Sequence, residues 1–250
     1  MTIGEIKKQF DDTPLDKMEL FIADHKDDNR PGVQNLITKA YKKIEDLKKE
    51  IERTEKLKEF EHKYESLGYI CGIDEVGRGP LAGPVVAGAV ILPKDSKILY
   101  LNDSKQLSEK KREELYDVIM KEAVATGLGY IGPERIDEIN ILNATYEAMR
   151  QAIGNLKVKP DVLLNDAVTI PEVDIKQVAI IKGDARSVSI AAASIIAKVT
   201  RDRLMVEYDA MYPEYGFKDN KGYGSAKHIE ALKKYGKTPI HRNTFIKNFI

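Results

Sequence analysis

From Tyr69 onward the chain is a succession of short apolar runs separated by longer stretches of helical spacing, and three of those runs lead into an acid: YICGID into Asp74, VLLND into Asp166 and KQVAIIKGD into Asp184. Alternation of β-branched runs with helical segments is the pattern of an α/β domain, in which helices cover a sheet. YICGID and PVVAGAVIL read as adjacent strands joined by a glycine-rich turn, and TGLGYIG as a third. Between them, SEKKREELYDVIMKEAVA reads as an amphipathic helix with Ser108 as its N-cap. The spacing predicts further helices over Ile136 to Leu156 and over SVSIAAASIIAKVTRDRLMVEYDAMY, the latter dense in small residues that permit close packing on a sheet.

The first 68 residues have a different texture, rich in Lys, Glu and Asp and without a strand-like run. They predict a helical extension over 1–68, followed by the main domain over 69–250, with the boundary at Ser66 to Gly68. Thr13 followed by Pro14 is the expected start of one helix, and Pro31 that of a second, whose residues Val33, Leu36, Ile37, Tyr41, Ile44, Leu47, Ile51 and Leu57 form a narrow apolar stripe. The stripe is too short and irregular for a coiled coil, so a docked helical appendage is the simpler reading.

Composition excludes several classes. The longest apolar stretches, such as GPVVAGAVIL, fall short of the roughly 20 residues a membrane helix needs. MTIGEIKKQFDD has neither an apolar core nor an arginine-rich, acid-poor character, so the cytosol is the default location. The single cysteine, Cys71, lies in an apolar run and leaves no disulfide framework. Forty basic and 40 acidic residues cancel, which argues against a protein that holds nucleic acid by bulk charge. The C-terminal segment is nonetheless locally basic, with Lys218, Lys221, Lys227, Lys233, Lys234, Lys237, Arg242 and Lys247 against Asp219 and Glu230. Such a bias is more often a solvated helix face than a nucleic-acid footprint.

Acids at strand ends are commonly polar punctuation, and any one of these taken singly reads that way. Together they suggest more, because side chains at the strand ends of an open α/β sheet project into the crevice where ligands bind. Carboxylates that converge repel one another unless divalent cations neutralise them. Oxygen ligands without nearby His or Cys favour Mg²⁺ or Mn²⁺ over zinc. Two such ions, about 3.5 to 4 Å apart, can activate water and stabilise the leaving oxygen of a phosphodiester. Asp74 and Glu75 are adjacent, so only a strand terminus or a bulge lets both reach one site. Immediately after them, Gly77, Arg78 and Gly79 combine flexible backbone with a guanidinium, a clamp suited to phosphate or sugar.

Four motifs in order, IDEVGRGPLAGPVVAGAVIL, DSKQLSEKKRE, IIKGDARSVSIAAASIIAKVTRDR and YPEYGFKDNKGYGSAKHIEAL, closely resemble bacterial ribonuclease HII over about residues 69–250. The charged N-terminus resembles the extension of some members. The resemblance implies a ribonuclease H-like fold, with a central mixed sheet flanked by helices. It implies that Asp74, Glu75, Asp166 and Asp184 are the catalytic acids and ligands of two divalent ions, Mn²⁺ or Mg²⁺. It further implies that Gly77, Arg78 and Gly79 read a ribonucleotide 2′-hydroxyl, and that Tyr223 stacks on the following deoxyribose. Lys105, Arg186, Ser187 and Lys198 resemble phosphate-facing residues, although Lys198 on a helix also reads as an ordinary solvated lysine. The implied partners are RNA/DNA hybrids and ribonucleotide-containing duplex DNA, cut to leave a 3′-hydroxyl and a 5′-phosphate. Nothing requires more than a monomer.

One departure stands out: Asn165 occupies a position where relatives carry Leu, Ile or Val, and its side chain is expected to point away from the metals. His228 and His241 read as structural or substrate-contacting, since two-metal hydrolysis needs no histidine. Most of the 12 tyrosines are expected to pack in the core or on the surface. Ribonuclease HIII is the nearest alternative, but it would carry a strand-containing N-terminal domain and another residue in place of Arg78. A non-catalytic nucleic-acid-binding module would have no reason to retain the four acids.

Overall fold

The computed structural model describes residues 1–250 and divides into two compact units, Met1–Lys56 and Leu57–Ile250. In the first unit α1 (Ile3–Asp12) opens on a capping box in which Glu5 N donates to Thr2 Oγ1 (3.3 Å) and Thr2 N to Glu5 Oε2 (2.7 Å). This helix was not expected as a separate element, and Thr13 closes it rather than starting the next one. The Thr13 hydroxyl donates to Gln9 O (2.6 Å), and Pro14 leads only into a short 3₁₀ turn before α2 (Met18–His25). Then α3 (Pro31–Lys56) turns Val33, Leu36, Ile37 and Ala40 onto Ile6, Phe10, Met18, Phe21 and Ile22. The start of the apolar stripe is therefore spent inside this unit, while Tyr41 and Ile51 stay exposed.

The second unit begins at Leu57, ahead of the Ser66 to Gly68 boundary that composition suggests. The reason is packing: Leu57, ahead of α4 (Glu59–Tyr64), joins Val188 and Val199 in one apolar cluster, and Phe60 and Tyr64 lie against another. The sheet consists of β1 (Ile70–Val76), β2 (Val85–Ile91), β3 (Ala125–Ile131), β4 (Val162–Asp166) and β5 (Lys176–Ile180). Its order is β3-β2-β1-β4-β5, antiparallel on the β1–β2–β3 side and parallel on the β1–β4–β5 side. The sheet is thus mixed, as the resemblance implies.

Strand alternation sorts the core into two layers. Cys71, Ile73, Val85, Ala87, Ala89 and Leu163 face α6 (Pro133–Gly154) through Ala144, Ala148, Met149 and Ala152. On the opposite face, Ile70, Val90, Val162 and Leu164 meet α5 (Glu109–Glu122) and α7 (Val188–Met211). Ser108 caps α5 as expected, accepting from Lys111 N at 3.2 Å. The small residues of α7 allow the close approach anticipated from sequence: a Cβ at Gly72 would lie 2.0 Å from the Ser189 carbonyl carbon. Beyond α7 come α8 (Phe217–Asn220), α9 (Ala226–Tyr235) and α10 (Asn243–Ile246). No helix is long and apolar enough to cross a membrane.

Asn165 pairs with Ile73 in the β1–β4 register and shares its face, the one turned from Asp166. It is fully buried, its Nδ2 donates to Gln177 Oε1 (2.8 Å), and its Oδ1 has no partner. Gln177 Oε1 also accepts from Ile170 N at 2.7 Å, so it remains satisfied without Asn165. Asn165→Leu removes an orphaned buried acceptor, a gain of about 1 kcal/mol, or ~2–4 °C in a domain of this size. Thermal denaturation checks this, and a lower melting temperature would contradict it.

Candidate active site

Asp74 and Glu75 lie within the last turns of pairing of β1, opposite Gly88 and Ala87 of β2, and the ladder runs unbulged to Val76. The strand terminus, not a bulge, is therefore what brings both acids to one edge. Asp74 is buried on the α7 side near Ser194, whose hydroxyl donates to Ser104 Oγ at 3.0 Å. Burial pushes the Asp74 carboxyl well above the usual carboxylate range, and the charges of Glu75 and Asp166 push it further. Burial also raises Glu75, opposed by Arg78, whose Nη1 donates to Glu75 Oε1 at 3.4 Å.

Asp166 ends β4, one residue beyond the Ile73–Asn165 pair, which sets it beside Asp74 on the neighbouring strand. Its Oδ1 accepts from Gly183 N at 2.7 Å, tying it to the turn that carries Asp184. That turn differs from the sequence expectation, because β5 stops at Ile180 and Asp184 stands on a 3₁₀ turn, Gly183–Ala185. Lys182, in the left-handed region at φ 55°, breaks the strand and swings the acid back toward β4. Burial raises the Asp184 carboxyl, helped by the charges of Asp103 and Asp166 and opposed by Lys105. Lys105 opposes the rise at Glu75 as well, so one exposed lysine faces two of the four acids.

Asp103 is an acid of this edge that sequence reasoning missed. Its only signal in the sequence is its place in DSKQL, two residues before Lys105. As the side chains stand, no three His, Cys, Asp or Glu groups are close enough together to hold an ion. The donor set, carboxylate oxygens of which those of Asp74, Glu75 and Asp184 are raised by burial and neighbouring charge, nevertheless fits hard divalent ions, which favour the ionised form.

The Gly77–Arg78–Gly79 loop leaves β1 directly beside these acids. Gly77 has φ 90°, and a Cβ there would lie 2.2 Å from Arg201 Nε. Gly79 is different: its φ is not positive, and a Cβ would meet only Tyr223 Cε1, at 3.8 Å. Nothing inside the protein requires a glycine at 79, which leaves its surface free for close approach of another molecule.

Tyr223 is 45% exposed, and its backbone is held by a chain of imidazoles. Thr238 N donates to His241 Nδ1 (2.9 Å), so that nitrogen is bare and His241 Nε2 carries the proton. It donates to His228 Nε2 (3.0 Å), and His228 Nδ1 then donates to Tyr223 O (2.8 Å). Burial lowers the pKa of both rings, that of His241 to about 4, and keeps the pair neutral. Both histidines are thus structural, serving the tyrosine loop.

The remaining residues have partners within the protein. Ser187 is fully buried; it caps α7 by accepting from Ile190 N (3.2 Å) and donates to Glu61 Oε1 (2.6 Å), so its hydroxyl is already engaged. Lys198 Nζ is committed to Asp202 Oδ1 at 2.8 Å. Arg186 is exposed and lies over the Phe60 ring, 5.2 Å from its centroid. Arg242, counted from sequence among the surface cations, is fully buried. The acids lie at an open sheet edge, whereas a cavity of about 310 Å³ lined by Tyr69, Leu92 and Val124 lies at the other end of the strands.

The profile of the Ribonuclease HII family matches residues 71–248, and that of the Ribonuclease HII N-terminal domain matches residues 2–65. The chain is 66% identical over 221 residues to Ribonuclease HII of Lachnoclostridium phytofermentans, covering 88% of this chain and 87% of that protein. With Ribonuclease HII of Clostridioides difficile the identity is 54% over 251 residues, covering 100% and 98%. The crystal structure of ribonuclease H2 from Pyrococcus horikoshii matches with a TM-score of 0.60 at 32% identity, covering 70% of this chain and 93% of that one. With a mixed sheet that brings acids from neighbouring strands to one edge, and with similarity running through both units, the chain belongs to the ribonuclease HII family and is a type 2 ribonuclease H.

Proposed function

We propose that this protein hydrolyses the RNA strand of RNA/DNA hybrids and cuts 5′ of single ribonucleotides embedded in duplex DNA, leaving 3′-hydroxyl and 5′-phosphate ends. Such an activity serves ribonucleotide removal, primer removal and DNA repair. The observation that carries the reading is adjacency: Arg78 meets Glu75, and Tyr223 lies 3.8 Å from where a Cβ on Gly79 would stand, so the acids and the candidate sugar-reading surface are neighbours.

Asp74, Glu75, Asp166 and Asp184 would hold two divalent ions, Mg²⁺ or Mn²⁺, which when bound supply an activated water and charge stabilisation at the leaving oxygen. The chain's own groups do the rest. Arg78 and Lys105 set positive charge at the rim of the acidic edge, where a scissile phosphate must enter against the carboxylates. The bare backbone of Gly79 admits a sugar closely enough for its 2′-hydroxyl to be sensed, and that hydroxyl is what separates RNA from DNA locally. The exposed ring of Tyr223 offers a stacking surface for the next deoxyribose. All of these residues come from one chain, so a monomer suffices.

The test is a duplex bearing one ribonucleotide, incubated with the protein and Mg²⁺ or Mn²⁺. Cleavage 5′ of the ribonucleotide is expected, and an intact strand would overturn the reading. Tyr223→Ala is expected to lower that reaction about tenfold or more, the loss of a stacking contact worth roughly 1–3 kcal/mol. Metal affinity, measured by calorimetry, should stay unchanged in this variant, and an equal loss of metal binding would count against a stacking role.

A further inference from the structure

Arg201 and Arg242 are the two largest fully buried side chains of the protein. Neither forms an ion pair; every hydrogen bond they make goes to a backbone carbonyl. Arg242 Nε donates to Gly83 O (2.9 Å), Nη1 to Arg78 O (2.9 Å), and Nη2 to Gly77 O (2.6 Å) and Gly83 O (2.8 Å). Arg201 Nε donates to Pro84 O (2.9 Å), Nη2 to Ala82 O (3.1 Å) and Nη1 to Lys221 O (2.9 Å). The five loop carbonyls engaged all belong to the segment from Gly77 to Pro84. The sixth belongs to the segment that leads into Tyr223.

A buried cation without a carboxylate is costly, and burial lowers the pKa of both groups, Arg242 to about 9. Apolar residues would fill the same volume without that cost. What a guanidinium adds is a rigid planar fork of five donors, able to fix several carbonyls at set angles. The surroundings are shaped to it: Gly77 has no room for a Cβ because Arg201 lies against it, and Leu81 N donates to Gly222 O (2.8 Å) while Gly83 N donates to Ile240 O (2.8 Å). Three segments far apart in sequence, 77–84, 221–223 and 240–242, are thereby locked together. With its carbonyls drawn inward, the loop presents Arg78 and Gly79 to solvent beside Tyr223.

We propose that Arg201 and Arg242 are positioning residues for substrate selection: they act through the Gly77–Arg78–Gly79 backbone to set the surface that distinguishes a ribonucleotide from a deoxyribonucleotide. The inference rests on the reading that this loop senses the 2′-hydroxyl. It assigns the discrimination to residues that touch no substrate.

The test is a binding measurement, fluorescence anisotropy in EDTA so that nothing is cut, comparing a duplex carrying one ribonucleotide with the same duplex entirely of DNA. Arg242→Lys keeps a positive charge but loses the fork. Its preference for the ribonucleotide duplex should fall about tenfold to a hundredfold, the effect of a sub-ångström to ångström misplacement. Affinity for the all-DNA duplex, set by phosphate contacts, should stay within about threefold. Should Arg242→Lys fail to fold by circular dichroism, Arg201→Lys is measured the same way, since it leaves the grip of Arg242 on Gly77 and Arg78 in place. A folded variant that keeps the native preference overturns the inference, as does an equal fall in both affinities. A native protein without any preference overturns the 2′-hydroxyl reading itself, and the inference with it, before any variant is made.

Discussion

Asp74→Asn is expected to lower cleavage of a ribonucleotide-containing duplex by at least about 10³-fold, as loss of a principal catalytic group does. Asparagine has the shape of aspartate, so it fits the same buried place on the α7 side of β1. What disappears is the negative charge of the most deeply buried acid of the site. Of the four acids this one is crowded by both Glu75 and Asp166, so removing its charge relieves repulsion rather than creating it. The melting temperature should therefore be no lower than that of the native protein. Binding of the hybrid should persist within about threefold, because the cations that meet phosphate are untouched. Turnover at the native rate would refute the assignment of Asp74, and a loss of folding would show that its role is structural.

The second large effect is expected from a residue that carries no chemistry. A Cβ at Gly72 would lie 2.0 Å from Ser189 C, 2.2 Å from Ser189 O and 2.3 Å from Ile190 N, all of them backbone atoms. Neither side can easily give way. β1 is paired on both edges, by β2 and β4, and the start of α7 is held by the Ser187 cap and by Glu61, which accepts from Ser187 Oγ and Ser189 N. Gly72→Ala should thus cost about 3 kcal/mol, the upper part of the range for overpacking, and lower the melting temperature by ~6–12 °C. Cleavage should fall along with stability, since the same helix carries Ser194 toward Asp74 and begins just after Asp184. A Gly72→Ala protein that melts at the native temperature would contradict the helix–strand spacing described above.

The parts of the site that could be read in the sequence were those whose evidence was local. Asp74, Glu75 and Asp166 ended apolar runs, and a strand ending has only one place to send a side chain. The Gly77–Arg78–Gly79 triplet announced itself by its lack of side chains next to acids. Where the signal is local but diluted it is weak: the Thr2–Glu5 capping box competes with Thr13–Pro14 as a helix start, and Asp103 sits beside Lys105 in a motif whose charge is mixed. Asp184 was assigned to the end of a strand because its apolar run continued to Ile181, and only the left-handed backbone at Lys182 ended the pairing earlier.

The alternation of strands and helices, the acids Asp74 and Asp166 closing strands and the glycine loop beside them are legible in the residues alone, because each follows from the period of the chain or from neighbours a few residues away. Which polar residues are engaged inside the protein emerges only once distant segments pack together. Ser187 and Lys198 proved to be engaged within the protein, while Arg201 and Arg242, indistinguishable in sequence from solvated residues, proved to be buried. A charge can be buried only where enough carbonyls meet it, and five of the six that meet these two arginines come from a segment more than 100 residues away, a distance over which no periodicity reports.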